Sequence, residues 1–410
     1  MKVRWPVIVI LILTLILALA SGSTILWRFF IFLVALLFMS YLWMRMNARH
    51  IDGRVTKLSP YSRVGERFEV EFNFVNNGRL PTALIEVQEE NDFPGYQNTI
   101  NFHLPAQGSY DWRSEGICRR RGIYDMGNFV VKITDPLGFF SVKEHIANSK
   151  SFIVFPTTID LPFFQALPRQ EPGLSKRRWF TSESGTNAAR VRDYINGDNF
   201  RNIHWHTTAH TGNLMVKEFD PDFVNYAYKD IWIVMDMHST SHCGKGNETT
   251  EEYAVTIAAS LAKKYIDNGK KVGLMASGDR SFLFLPETGD EHREELLRAL
   301  AMIDATSRLS LDALLASQEE RFEPGAAIVV ITPSADVLAP LRRIVNRGTM
   351  VTAILLDAVS FGGKVNASET ARGLTASGIH VYIVRQGAEM VRALDSRFIL
   401  SPLIYTGVKR

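Results

Sequence analysis

Two long apolar runs open the chain and predict a helical membrane hairpin. Residues 5–23 and residues 24–44 are almost wholly apolar, and each is about as long as the ~20 residues that cross a ~30 Å hydrocarbon layer. Only the short polar segment 21–24 separates the two runs. Because so short a connection makes a hairpin, we expect both outer ends to lie on the same side of the membrane.

Basic residues at both ends of this hairpin set its expected orientation. Lys2 and Arg4 precede the first run, and Arg45 and Arg49 follow the second. The positive-inside rule then predicts that the body of the protein lies in the cytoplasm, at the plasma (inner) membrane. The alternative is a signal peptide cleaved at the Ala-Leu-Ala of residues 18–20, in which case the second run alone anchors the body from the same side.

Strict alternation of polar and apolar residues follows the hairpin. Arg67–Phe74 predicts a strand whose buried face is made of Phe68, Val70, Phe72 and Phe74. Further strand candidates are Leu84–Val87, Thr99–Leu104, Phe129–Ile133 and Phe152–Phe155. Several short strands at such intervals predict an antiparallel β-sandwich over residues 51–158. The basic triplet Arg119–Arg121 is expected to contact acidic lipid headgroups or to form a solvated or ion-paired turn.

The region 229–395 alternates between buried strands and amphipathic helices. The apolar run Ile231–Met235 is typical of a strand buried on both faces, and Glu251–Asn268 spaces its apolar residues as a helix does. The other strand candidates are Val272–Ala276, Ser281–Leu285, Ala327–Ile331, Val351–Leu356 and His380–Val384, and the other helix candidates are Glu291–Ile303, Ala335–Arg347 and Ser368–Ser377. This order predicts a doubly wound, mostly parallel α/β sheet, whose ligands bind at the carboxyl ends of the strands.

The segment between these two regions has a mixed pattern. The proline-rich stretch Leu161–Gly173 predicts a linker. Further on, Asn199–Thr211 has helical spacing, with Asp198 available as the N-terminal cap and Gly212 able to end the helix in the left-handed conformation.

Composition and motifs narrow the function. The chain has 46 basic and 43 acidic residues, a balance that does not predict a nucleic-acid binder. Its two cysteines, Cys118 and Cys243, are too few for a disulfide scaffold or a cysteine zinc cluster. His206 and His210 lie four residues apart, so they either bind zinc with a third ligand or are surface histidines. We find no phosphate loop, nucleophile elbow or zinc-protease motif and predict that the protein is not an enzyme.

The run from residue 185 to residue 220 resembles the signature of the bacterial family catalogued as domain of unknown function 58. In that family an R-x-Y-x-x-G-D-x-x-R-x-I-x-W block leads into a short helix and a strand. Upstream, Cys118–Gly122 and Asp135–Phe139 resemble the family's arginine-glycine and D-P-x-G-L/F elements. The residues that match the block are Arg192, Tyr194, Gly197, Asp198, Arg201, Ile203 and Trp205.

Two roles are open for this signature block. In the first it is architectural, with Arg201 paired to Asp198 and Trp205 packed at a junction between domains; in the second it is a partner-binding surface. Members of the family commonly occur with MoxR-type AAA+ ATPases and have no established catalytic activity.

The loop after the first α/β strand resembles the metal-ion-dependent adhesion motif of von Willebrand factor A domains. That motif, D-x-S-x-S, holds magnesium together with a threonine and a second aspartate from later loops. Asp236 fits, but His238 and Thr240 occupy the serine positions, and Thr332 follows the strand where the second aspartate belongs. The resemblance implies either a degenerate magnesium site or a loop in which Asp236 bonds locally. The residues at or beside the metal position are Asp236, Ser239, Thr240 and Ser241.

These patterns together predict a multi-domain membrane protein. We expect a protein-interaction module that works with a MoxR-type ATPase in complex assembly or envelope-related processes. The alternatives are a magnesium-dependent hydrolase that uses Asp236, and a structural envelope component that associates with itself. The expected segments are a hairpin anchor at 1–50, a β-sandwich at 51–158, a linker with the signature block at 159–228, a von Willebrand A-like domain at 229–395 and a tail at 396–410.

Overall fold

Two apolar helices, α1 (Trp5–Ser21) and α2 (Thr24–Ala48), lie at the start of the chain. The computed structural model describes residues 2–166, 188–195, 200, 203–219, 230–323 and 325–398. Within these residues the helix over Thr24–Asn47 is long and apolar enough to cross a membrane, and α1 is a shorter apolar helix. Gly22 connects them at φ 61°, the left-handed backbone that glycine adopts without a Cβ clash.

Nine strands build the β region, of which the first precedes the two helices and the other eight follow them. They are β1 (Lys2–Val3), β2 (Ile51–Leu58), β3 (Tyr61–Arg63), β4 (Arg67–Asn76), β5 (Leu84–Glu89), β6 (Thr99–Phe102), β7 (Ser109–Ile117), β8 (Gly122–Thr134) and β9 (Phe140–Phe155). One sheet has the order β1-β9-β8-β5-β6 with β3 on β9, and a second has the order β2-β4-β7. The predicted strand at Arg67–Phe74 is confirmed, since its four apolar side chains are buried in a core shared by both sheets.

Both ends of the helical hairpin contact the first of these sheets. Strand β1 precedes α1 and pairs antiparallel with the beginning of β9. The last two turns of α2 place Ser40, Met44 and Asn47 on one buried face. The Asn47 side-chain amide donates to the carbonyl of Pro81 at 3.2 Å, and the Ser40 hydroxyl bonds to the Asp135 carboxylate. The hairpin is therefore joined to the sheet at both ends.

A small unit carries the signature block. Strand β10 (Ala188–Asp193) pairs antiparallel with β11 (Met215–Phe219), and the short helix α3 (Trp205–Thr211) lies between them in sequence. The predicted helix at Asn199–Thr211 is too long at its start, because the cap is His204, whose Nδ1 accepts from the Thr207 N–H at 3.2 Å. Its predicted end is confirmed, with Gly212 left-handed at φ 73°. Asp198 lies outside the described residues.

The remaining elements form the predicted alternation of strands and helices. They are β12 (Asp230–Met235), β13 (Gly244–Lys245), β14 (Glu248–Thr249), α4 (Thr250–Asp267), β15 (Lys271–Ser277), β16 (Ser281–Glu287), α5 (Asp290–Met302), α6 (Leu311–Ser317), β17 (Ala327–Thr332), α7 (Leu338–Asn346), β18 (Met350–Leu356), α8 (Ala367–Ala376), β19 (His380–Val384) and α9 (Met390–Ala393). The six-stranded sheet has the order β16-β15-β12-β17-β18-β19, and every pairing is parallel except that of the edge strand β16.

Side chains of the central strand β12 point alternately into two cores. Ile231, Ile233 and Met235 join one cluster with α4 and α5, whereas Trp232 and Val234 join another with α6, α7 and α8. Helices therefore cover both faces of the sheet, as expected for continuous apolar strands.

The proline-rich stretch begins as part of this core rather than as a linker. Leu161, Phe164 and Ala166 are buried in the cluster that contains α4. The Lys264 ammonium donates to the carbonyls of Leu161 at 2.5 Å and Phe164 at 2.7 Å. Residues 161–166 of the predicted linker are therefore part of the core of the α/β region, because their apolar side chains are buried with those of α4. Residues 167–173 lie outside the described part of the chain.

Burial of His380 makes the stability of this sheet sensitive to pH. Burial lowers the pKa of His380, at the start of β19, to about 4. An unfolded histidine takes up a proton near a pKa of about 6.5, so stability that is present above that pH is lost as the pH falls towards the folded value. We expect the free energy of unfolding to fall by about 1–2 kcal/mol through this group between pH 7 and pH 5.

Denaturant unfolding of the wild type and of His380→Phe at both pH values tests this expectation. The variant should lose this part of the pH dependence, whereas the control His145→Phe, at a 70% exposed position, should retain it. Equal pH dependence in His380→Phe and the wild type would contradict it.

Candidate functional site at the Asp236 loop and the signature block

The carboxylate of Asp236 is buried at the carboxyl end of β12, and each of its two oxygens accepts a hydrogen bond from its own protein. Its Oδ2 accepts from the Thr332 hydroxyl at 2.7 Å, and its Oδ1 accepts from the His238 N–H at 3.1 Å. Thr332 ends the neighbouring strand β17 and is itself completely buried. The residue that replaces the second aspartate of the adhesion motif thus donates a hydrogen bond to the first.

His242 holds the other end of this loop, which runs over residues 236–242. Its Nε2 donates to the Asp236 carbonyl at 2.6 Å, and its Nδ1 accepts from the Thr250 hydroxyl at 3.0 Å. Both contacts suit the neutral ring with the proton on Nε2. Burial lowers the pKa of His242. The contacts with Asp236 and the charge of Glu251 act in the opposite direction, but their effects are smaller, and the charge of Arg121 adds to the lowering.

A backbone bridge secures the exposed middle of the loop. The Ser239 N–H donates to the Ser307 carbonyl at 3.0 Å, and the Ser307 N–H donates to the Met237 carbonyl at 3.1 Å. The Thr240 hydroxyl bonds to Nδ1 of His238 at 2.9 Å. Loop geometry is therefore fixed by bonds within the protein.

The donor set does not fit magnesium. A hard divalent cation prefers several carboxylate and other oxygen ligands, whereas Asp236 is a single carboxylate that accepts hydrogen bonds from a hydroxyl and a backbone amide. In the described part of the chain, no group of three or more His, Cys, Asp or Glu side chains could hold a metal ion. The predicted set of Asp236, Ser239, Thr240 and Ser241 thus contains one carboxylate, and it is already hydrogen-bonded.

Arg121 joins the β region to the α/β region beside this loop. Its buried guanidinium pairs with Glu251 at 2.8 Å and with Glu252, both at the start of α4. It also donates to the carbonyls of Leu300 at 3.0 Å and Ile303 at 2.6 Å, at the end of α5. Of the alternatives predicted for the basic triplet, the ion-paired one holds for this arginine.

The signature block presents large apolar side chains to solvent. Ile195 is 64% exposed, and Phe200 and Trp205 are each 65% exposed. Outside α1 and α2 these are the three most exposed large apolar side chains of the described residues. Among the described residues Trp205 packs against no domain junction, and the seven-residue helix α3 that carries it buries none of its own side chains.

The remaining signature residues divide between described and undescribed positions. Arg192 lies in β10, where its Nη1 donates to the Asp193 carbonyl at 2.9 Å. The ring of Tyr194 packs on Phe200 at 5.6 Å between centroids. Gly197, Asp198 and Arg201 lie outside the described residues, as does the predicted pair between the last two.

Three histidines lie at α3, with His204 as its N-terminal cap and His206 and His210 within it. The His206 and His210 rings are 5.6 Å apart between centroids, and the His204 and His206 rings are 6.2 Å apart. A zinc site needs at least a third ligand, and no group of three or more His, Cys, Asp or Glu side chains among the described residues is placed to hold a metal ion here.

Fold and site together define a multi-sheet protein with an apolar helical hairpin and an α/β domain. Within it, the family described as protein of unknown function DUF58 matches residues 190–359, which include the signature block and the Asp236 loop. The uncharacterized protein YeaD of Bacillus subtilis (strain 168) is 29% identical over 198 residues, which are 46% of this chain and 45% of that protein. The match thus spans less than half of the relative's length.

Solved structures add little. The CARDB domain of the PF1109 protein from Pyrococcus furiosus, in complex with di-metal ions, is 12% identical, with 24% of this chain and 86% of that chain covered at a TM-score of 0.19. Red sea bream transglutaminase is 12% identical, with 26% and 15% covered at a TM-score of 0.20. Such low scores support no argument about fold or function.

Proposed function

We propose that this protein is a membrane-anchored, cytoplasmic protein-interaction module that works with a MoxR-type AAA+ ATPase in complex assembly or envelope-related processes. The observation that carries the proposal is the exposed apolar surface of the signature block, formed by Ile195, Phe200 and Trp205. Large apolar side chains exposed to solvent are typical of protein contact sites, where aromatic residues become the buried anchors of the interface.

The hairpin supports the anchoring part of the proposal. Exposed apolar side chains cover α1 and α2, and a bilayer would bury them. Lys2, Arg4, Arg45 and Arg49 favour a cytoplasmic body. Because β1 pairs with β9, the first residues of the chain are part of the sheet, which favours an uncleaved hairpin over a signal peptide.

Two domain assignments belong to the same proposal. The two sheets that share a core over residues 51–155 support a β-sandwich. A mostly parallel sheet with Asp236 at the end of its central strand supports a von Willebrand A-like domain. In this domain the aspartate acts as a structural residue of the loop, and the contact surface lies outside the domain, in the preceding signature block.

Binding of the purified ATPase to the full-length protein in lipid nanodiscs tests the proposal. We expect binding in at least one of three states: with ADP, with a non-hydrolysable ATP analogue or without nucleotide. Trp205→Ser and Phe200→Ser should each weaken binding about tenfold or more, as expected when an aromatic anchor is removed.

The matched control is Leu285→Ser, at a 50% exposed apolar position on β16, which should bind as the wild type does. Failure of the wild type to bind the ATPase in all three states would refute the partner. Full binding by both signature-block variants would refute the surface.

A further inference from the structure

The turn between β8 and β9 is rigidly built around Asp135. Its carboxylate accepts from the Leu137 N–H at 3.1 Å and from the Phe140 N–H at 2.6 Å, and it also bonds to the Ser40 hydroxyl of α2. Gly138 takes the left-handed conformation that closes the turn, at φ 73°. Within this fixed frame Leu137 is 49% exposed.

This turn lies beside the ends of both apolar helices. The Arg4 N–H, just before α1, donates to the Phe139 carbonyl at 3.1 Å. The rings of Tyr41 and Phe140 meet edge to face at 6.1 Å between centroids. Leu137 therefore lies close to the level at which α1 begins and α2 passes Ser40.

Helix length places this level inside a bilayer. From Thr24 to Ser40, α2 has roughly 17 residues and spans ~25 Å at ~1.5 Å per residue, whereas the hydrocarbon layer is ~30 Å thick. Helix α1, at 17 residues, has the same span. A layer that starts at Gly22 therefore extends about three residues beyond Ser40, and any tilt of the helices carries it further along them.

The outward face of α2 agrees with this estimate. Leu42 and Met46, beyond Ser40, are 41% and 50% exposed, while Met44 and Asn47 on the opposite face pack against the sheet. Apolar surface thus continues past the level of the β8–β9 turn on the side that faces away from the protein.

We propose that the β8–β9 turn is a third membrane contact, in which Leu137 inserts into the lipid interface beside the two helices. The proposal rests on the membrane anchoring put forward above. Its consequence is that the sheet is seated against the bilayer in a fixed orientation, which would fix the distance of the signature block from the membrane.

Site-directed spin labelling of the full-length protein tests this contact. Cysteines replace Leu137, Phe38 and Leu285 one at a time, in a background that carries Cys118→Ala and Cys243→Ala and keeps the wild-type unfolding midpoint. Each labelled protein is placed in phosphatidylethanolamine–phosphatidylglycerol vesicles. Collision rates are measured with oxygen, which concentrates in lipid, and with a water-soluble nickel chelate. Phe38 on α2 is 64% exposed and reports on the anchor, and Leu285 is matched to Leu137 in exposure.

We expect the oxygen-to-nickel ratio at position 137 to be several-fold higher than at 285 and to approach that at 38. A ratio at 137 equal to that at 285, with a high ratio at 38, would overturn this contact and leave the anchor intact. Low ratios at both 38 and 137 would overturn the anchor itself. A label at 137 that neither reagent reaches would place the residue inside the protein and would also overturn the contact.

Discussion

Arg121→Ala is expected to destabilise the protein by about 3–5 kcal/mol, the loss typical of a buried ion pair that keeps only one partner. The substitution leaves Glu251 and Glu252 without their cation, and it leaves two carbonyls at the end of α5 without a donor. Since these contacts cross from the β region to the α/β region, we also expect the two regions to unfold less cooperatively. Denaturant unfolding with hydrogen exchange resolved along the chain measures both effects.

Arg120→Ala is the matched control for this prediction. The Arg120 side chain is 56% exposed, and its guanidinium lies 3.9 Å from the Asp304 carboxylate, so the loss should stay within about 0–1 kcal/mol. A triple variant, Arg121→Met with Glu251→Gln and Glu252→Gln, should recover part of the loss because no uncompensated charge remains. If Arg121→Ala is no less stable than Arg120→Ala, the buried ion pairs and hydrogen bonds of Arg121 do not hold the two regions together.

The elements of the fold were largely predictable because burial leaves a periodic trace. The alternation at Arg67–Phe74 and the continuous apolar run at Ile231–Met235 correspond to observed strands with the predicted faces buried. The beginning of β9 is not predictable from the pattern, because its side chains are not buried. Residues 143–151 are mostly exposed and are held by backbone pairing to β8, so their side chains carry no period-two signal.

The contacts that define the site could not be predicted from local pattern. Arg121 bonds to residues 130 to 182 positions away, and Asp236 bonds to Thr332, 96 positions away. The sequence alone identified the aspartate and the missing second carboxylate, but it did not show that Thr332 turns its hydroxyl towards Asp236. The exposure of Trp205 could not be predicted either, because aromatic residues are largely buried on average, whereas the short helix α3 that carries it buries none of its own side chains.

Asp236→Ala should separate a structural aspartate from a metal ligand. The substitution leaves the buried Thr332 hydroxyl and the His238 N–H without an acceptor, and unsatisfied buried donors cost about 1–3 kcal/mol each. We therefore expect a loss of about 2–4 kcal/mol in the free energy of unfolding. Asp236→Asn keeps one acceptor oxygen and should lose less, while Asp336→Ala, at an exposed position, should be nearly neutral.

Magnesium decides which role the carboxylate has. A ligand that binds only the folded state raises stability in proportion to the logarithm of its concentration over Kd, so a true metal site would stabilise the wild type in millimolar Mg²⁺ and lose that gain in both Asp236 variants. Because the two carboxylate oxygens are already engaged, we expect identical unfolding curves with Mg²⁺ and with EDTA. Stabilisation by Mg²⁺ that disappears in Asp236→Asn would show that the loop opens to take the ion, and the purely structural role would then be wrong.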